Sequence, residues 1–175
     1  MVRAVIACLV VTVTSMACAY DPGTFEGDGV VTDRGFWSYR PRYSIELRPS
    51  ASLAVPDRHQ YRFRGLPSES LSVLLVVQDV SMQDHERLKQ LTTTVELALA
   101  DSTGKVACHV AGPLTNWKLM WTTGRGGAYW RRECVDLQLQ PREWHTLVVV
   151  VTNVETGLPP LRIVPLLSGG GWDSP

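Results

Sequence analysis

Aromatic and guanidinium side chains are concentrated in one short segment of this sequence. Six tryptophans occur in the chain, and three of them, Trp117, Trp121 and Trp130, lie close together. Tyr129 precedes Trp130, and Arg125 lies in the intervening "TTGRGG". Flat amphipathic rings give a large contact area at a low cost in side-chain entropy. The segment therefore predicts an aromatic surface that stacks on sugar rings or on a partner protein.

The same aromatic residues also fit a structural interpretation. In an alternating strand, Trp117 and Trp121 share one face, whereas Trp130 shares its face with Cys134. Sandwich domains commonly use tryptophan to close the core beside a disulfide. The pattern leaves the binding surface and the core as alternatives.

Motifs for catalysis and for metal binding are absent from the sequence. The histidines are isolated, without the H-E-x-x-H spacing of zinc ligands: His59, His85, His109 and His145. Neither the G-x-S-x-G nucleophile elbow nor the G-x-x-x-x-G-K phosphate loop occurs. We therefore expect no enzymatic activity, no cofactor and no bound metal.

The cysteines indicate one disulfide. Cys8 and Cys18 lie near the amino terminus, which leaves Cys108 and Cys134 in the body of the chain. In an oxidising compartment two isolated cysteines favour a bridge, and two buried reduced thiols are the alternative. A bridge closing a loop of this length stabilises a fold by about 3 to 4 kcal/mol on the chain-entropy estimate.

The first residues have the composition of an export signal. Arg3 is the only charged residue among the first twenty, and the apolar run of residues 4–14 is too short to span a bilayer. The small residues of "ACA" predict cleavage before Tyr20, which gives a signal peptide of residues 1–19 and a soluble secreted or periplasmic protein. Cleavage before Cys18 gives a signal peptide of residues 1–17 and makes Cys18 a candidate lipidation site.

The residues around the second cleavage site resemble a known motif. "SMAC", with Ala17 directly before the cysteine, resembles the lipobox of bacterial lipoproteins. Residues 18–35 are rich in Gly and Asp and lack periodicity, which predicts a flexible tether. Leader, tether and a following β-domain together resemble small bacterial lipoproteins of unassigned function. The resemblance implies a lipid anchor at Cys18 and a location in the bacterial cell envelope.

Charge balance excludes two classes of partner. The chain has 17 basic and 17 acidic residues. A near-neutral chain gives no electrostatic case for nucleic acid or for an anionic membrane surface, so membrane attachment is expected only through a lipid at Cys18. About 155 residues follow the leader, enough for one core, and we expect a single domain over residues 36–175.

Hydrophobic alternation sets the fold class. Tyr43, Ile45 and Leu47 alternate with polar residues, as in a half-buried strand, whereas residues 73–77 are apolar on both faces, as in a central strand. About eight or nine such strands follow one another, with turn signals every eight to twelve residues or so. The sequence predicts an all-β, antiparallel β-sandwich. One short helical segment is expected within residues 82–92, which are rich in helix formers.

Arginines alternate along one predicted strand. Arg62 and Arg64 share the face opposite Tyr61 and Phe63. Such a stripe favours a solvated face paired with Glu and Asp, and an anionic glycan or phosphate site is the alternative.

Two functional hypotheses follow. The first is an exported, non-enzymatic envelope protein whose β-sandwich docks an unknown protein or glycan of the cell envelope. The second is a carbohydrate-binding module that uses the aromatic surface between Trp117 and Trp130.

Overall fold

The computed structural model describes residues 24–33, 43–66, 71–80, 90, 92–113, 118–121, 127–156 and 160–169. Within them the chain forms twelve strands. Their bounds are β1 Glu26–Gly27, β2 Gly29–Asp33, β3 Tyr43–Leu47, β4 Ala51–Ser52, β5 Asp57–Arg64, β6 Leu71–Val80, β7 Thr94–Asp101, β8 Val106–Pro113, β9 Lys118–Trp121, β10 Gly127–Leu137, β11 His145–Thr152 and β12 Arg162–Gly169.

The strands form two antiparallel sheets. The five-stranded sheet has the order β1-β5-β11-β7-β8, and the seven-stranded sheet has the order β2-β3-β12-β6-β10-β9, with β4 paired to β12. This confirms the predicted all-β sandwich. The β6 strand, predicted as central from its apolar residues, lies between β12 and β10.

The core lies between the sheets and follows the alternation of the sequence. On β3, Tyr43, Ile45 and Leu47 are at most 1% exposed, and on β5 the side chains of Tyr61 and Phe63 are fully buried. Burying a side chain of this size contributes about 1.5 to 3 kcal/mol. The alternation in the sequence therefore predicts the core-facing residues of these strands correctly.

Three short strands were not predicted, and two of them fall inside the predicted tether. β1 pairs with β5 through Glu26 and Arg64, and β2 pairs with β3 through Val31 and Ile45. Gly27 has a φ of 131°, and a Cβ there would collide with the backbone of β5. The glycine at position 27 thus allows the chain to pass close to β5 as it crosses from one sheet to the other. β1 and β2 lie in the segment that was predicted to be a tether, so most of residues 26–33 form strands.

Several predictions lie outside the described residues. These are the signal peptide, Cys18 and the rest of the tether. The predicted helical segment also lies outside them, except for Gln90 and Thr92. Within the described part of the chain, no helix has the length and apolar character to cross a membrane.

Candidate functional site

A disulfide joins the two sheets. Cys108 of β8 and Cys134 of β10 are bridged, with their Cα atoms 5.7 Å apart, within the usual range. This confirms the predicted pair. β8 is an edge strand of the five-stranded sheet and β10 belongs to the other sheet, so the bridge crosses the sandwich. Cys134 has a φ of 53° and lies where the pairing of β10 with β6 shifts register, so the bridge is attached at an irregular point of β10.

The predicted aromatic residues are placed in part. Trp121 lies on β9, and Tyr129 and Trp130 lie on the neighbouring β10. The structure therefore brings three of the candidates onto two adjacent strands at one edge of the seven-stranded sheet. Trp117 and Arg125 lie outside the described residues.

Strand β6 is buried on both of its faces. Val73, Leu75 and Val77 belong to the core. Leu74 and Val76 occupy the opposite face, by alternation, yet each is only 7% exposed. The outer face of the seven-stranded sheet is therefore apolar at its centre.

The register connects this apolar face with the aromatic segment. Val76 of β6 pairs with Val164 of β12 on one side and with Trp130 of β10 on the other. Val164 is 8% exposed. Neighbouring strands are about 4.8 Å apart, so the Val164 and Trp130 positions are separated by about 10 Å across the sheet.

A groove of about 770 Å³ lies on the Val164 side of this row. One wall comes from the segment between β3 and β4, with Pro49 and Ser50, and the other from the start of β12, with Leu161 and Arg162. Val164 is also part of the lining. The groove thus joins segments that are more than a hundred residues apart in the sequence.

The walls of the groove are held by buried and half-buried hydrogen bonds. The Tyr61 hydroxyl donates to the carbonyl of Pro49 at 2.7 Å, and Leu53 N–H donates to the carbonyl of Leu161 at 3.0 Å. Burial raises the pKa of Tyr61 above its usual range, with smaller contributions from Asp57 and Asp28, which keeps the hydroxyl a donor. These bonds tie both walls to the core.

Asp57 stabilises the segment that follows the groove wall at Pro49 and Ser50. Its Oδ2 accepts a hydrogen bond from Ser52 N–H at 2.7 Å and lies 3.0 Å from His59 Nε2. Partial burial acts to raise the pKa of Asp57, but the hydrogen bonds from Ser52, His59 and Arg58 outweigh it and lower the pKa below its usual value. The carboxylate is therefore ionised when it holds this turn.

The groove has an excess of positive charge. Arg48 Nε lies 3.3 Å from Glu46 Oε1. Arg162 Nη1 lies 3.4 Å from both the carbonyl oxygen and the Oγ of Ser50, which are neutral acceptors. Two guanidinium groups thus face one carboxylate among the lining residues.

The arginine stripe of β5 lies on the other sheet and has local partners. Arg64 donates from Nε and Nη2 to Glu26 Oε2, at 3.0 and 2.6 Å. The guanidinium carbons of Arg62 and Arg64 lie 5.0 and 4.8 Å from the centre of the Trp144 ring. Sequence reasoning missed Trp144, because its contact depends on β5 and β11 being neighbours. Arg64, Glu26, Pro141 and Arg142 border a second groove of about 600 Å³.

Each of the described histidines has a different hydrogen-bonding partner. His59 pairs with Asp57, His109 Nε2 lies 2.8 Å from Glu96, and His145 Nε2 lies 3.1 Å from the carbonyl of Gln140. Within the described part of the chain, no three His, Cys, Asp or Glu residues are grouped as metal ligands. His85 lies outside that part.

Comparisons with known proteins give distant structural likenesses. No protein-family model and no curated protein sequence matches the chain. One similar structure is a carbohydrate-binding module described for specific mannan recognition, at 8% identity, covering 87% of this chain and 94% of that chain, with a TM-score of 0.40. Another is a family GH115 4-O-methyl-α-glucuronidase with specificity for decorated arabinogalactans, at 12% identity and a TM-score of 0.32, which covers 97% of this chain but 20% of that chain. At these scores neither likeness supports an argument about binding.

Proposed function

We propose that this chain is an exported, non-enzymatic protein of the bacterial cell envelope whose β-sandwich docks a protein or glycan partner. The observation that supports it is the Cys108–Cys134 bridge between the two sheets. Structural disulfides form and persist in oxidising compartments outside the cytoplasm. A sandwich whose sheets are covalently joined is a rigid scaffold on which a surface groove keeps its shape. Cys18 is the proposed lipid attachment site, and a soluble secreted form is the alternative.

The intact mass of the mature protein tests export and anchoring. The chain is expressed with its own leader in a bacterial host, and the mass is measured before and after reduction and alkylation. We expect a chain that begins at lipid-bearing Cys18 and gains two alkyl groups at Cys108 and Cys134 only after reduction. A chain that begins at unmodified Tyr20 establishes the soluble form, and an uncleaved leader contradicts export.

The second candidate function is a carbohydrate-binding module. It is favoured by the register that connects Trp130, through Val76, with the groove at Val164. The proposed ligand-binding residues are those of the aromatic segment, namely Trp117, Trp121, Tyr129, Trp130 and Arg125. Stacking of sugar rings on tryptophan gives affinity with little ordering cost.

Calorimetric titration with a panel of soluble oligosaccharides tests this function. We expect Trp130→Ala to abolish binding of any oligosaccharide that the unmodified protein binds. Trp144→Ala is the matched control, because Trp144 directly precedes β11 of the other sheet and lies beneath Arg62 and Arg64. Equal loss in both variants, or no binding by the unmodified protein, contradicts the module.

A further inference from the structure

We propose that the groove between Pro49 and Leu161 binds the carboxylate of an acidic oligosaccharide, one that contains uronic acid units, through Arg48 and Arg162. This inference rests on the second candidate function, since it names the ligand class for the same face of the seven-stranded sheet. It adds a charged subsite to the aromatic one.

The partners of the two arginines point to an anionic ligand. Arg162 contacts only the two neutral oxygens of Ser50 among its described hydrogen bonds, both at 3.4 Å, near the limit for such bonds. The Arg48 side chain is 60% exposed, and its Nε lies 3.3 Å from Glu46 Oε1. A guanidinium group presents a planar set of donors that matches a carboxylate. A ligand carboxylate would neutralise the excess charge of the groove.

The remaining lining suits a sugar better than an acidic peptide. Leu161 and Pro160 offer an apolar surface to the C–H faces of a pyranose ring. The Glu46 side chain is 23% exposed, and its carboxylate can accept hydrogen bonds from ring hydroxyls. The side chains of an acidic peptide also offer carboxylates to the arginines, but they have no hydroxyl groups to donate to Glu46. A chain of hydroxyl-rich units with one carboxylate each fits the charges that are present.

The site is organised before a ligand arrives. Pro49 is fixed by the Tyr61 hydroxyl, and the opposite wall is held by the bond from Leu53 N–H to Leu161. The β4–β12 pairing, Ser52 with Arg162, joins the two walls directly. A rigid site loses little conformational entropy on binding, so a small number of charged contacts is enough for measurable affinity.

Calorimetric titration with two matched ligands tests the proposal. The first is tetragalacturonate, and the second is its full methyl ester, which has the same rings and no charge. We expect the acid to bind about tenfold or more tightly than the ester. Arg162→Gln should remove this preference, and Arg142→Gln should leave it unchanged. Arg142 is also an exposed arginine, and it borders the other groove.

The outcomes separate this inference from the function on which it rests. Equal affinities for acid and ester, or equal effects of the two arginine variants, overturn the carboxylate subsite while a glycan site at Trp130 stands. Binding of neither ligand overturns the subsite, and the oligosaccharide panel then decides separately whether the module itself fails. Arg162-dependent binding of hexaglutamate in place of tetragalacturonate assigns the groove to an acidic peptide and overturns the sugar ligand.

Discussion

The outer faces of the two sheets differ in chemistry. On β5 of the five-stranded sheet, the outward residues Arg58, Gln60 and Arg62 are exposed. On β6 of the seven-stranded sheet, the outward residues Leu74 and Val76 are each 7% exposed. Polar side chains on the outer face of a sheet are stable in contact with water. Apolar side chains on an outer face are stable only when other residues or a partner cover them. The two faces therefore have different tolerances to substitution.

The charged face is largely satisfied by its own neighbours. Arg64 pairs with Glu26, and His109 pairs with Glu96 across β7 and β8. Exposed pairs of this kind contribute little to stability, because solvent screens them. By contrast, Arg162 on the opposite side of the molecule has only neutral described partners. This contrast separates Arg64, which has a carboxylate partner, from Arg162, whose described partners are neutral.

The largest expected effect concerns the bridge that holds the two faces at a fixed separation. Replacing both Cys108 and Cys134 with Ser should lower the free energy of unfolding by about 3 to 4 kcal/mol. Urea denaturation under oxidising conditions measures it. Reduction of the unmodified protein should give a similar loss, and a loss seen on reduction but absent from the double variant would contradict the assignment of the bridge.

The two outward rows can be compared directly by truncation. Leu74→Ala should cost about 2 to 4 kcal/mol, because a nearly buried leucine leaves a cavity. Gln60→Ala, an outward position on the other sheet, should change stability by less than about 0.5 kcal/mol. Thermal or urea unfolding of the two variants checks this. Equal costs would remove the distinction between the faces.

The groove wall should be sensitive to acid through Asp57. Its folded pKa is lowered, so the stabilisation is present above the unfolded value near 3.8 and is lost as the pH falls through the lower folded value. Asp57→Ala removes the acceptor of Ser52 N–H and should cost about 1 kcal/mol at neutral pH. Unfolding curves between pH 6 and pH 2 measure both effects. The variant should lose less stability than the unmodified protein over the acid range, and identical pH profiles would contradict the role of Asp57.

The smallest expected effect is on the charged face. A double-mutant cycle with Arg64→Ala and Glu26→Ala should give a coupling energy below about 1 kcal/mol, since both side chains are substantially exposed, at 39% and 55%. The coupling should fall further in high salt. A large, salt-independent coupling would mean that this pair is structural rather than solvated.

Much of the secondary structure follows from local pattern. The alternation of Tyr43, Ile45 and Leu47 places those residues in the core, and the doubly apolar run after Leu71 marks β6 as a central strand. The strands that escaped prediction, β1, β2 and β4, are short and lack a full alternating period. β1 and β4 pair with β5 and β12, which lie farther along the chain, so the local pattern carries no signal for them.

The fold class and the identity of the disulfide pair can both be predicted from the amino-acid sequence. Side-chain periodicity and residue type are local properties, so they can be read from the sequence without knowledge of the strand order. Three other features become visible only in the folded chain: the Cys108–Cys134 bridge crosses between the sheets, Trp144 lies beneath two arginines, and Arg162 contacts Ser50. Each of these depends on the register of strands that are distant in sequence, and register is set by the packing of the whole sandwich.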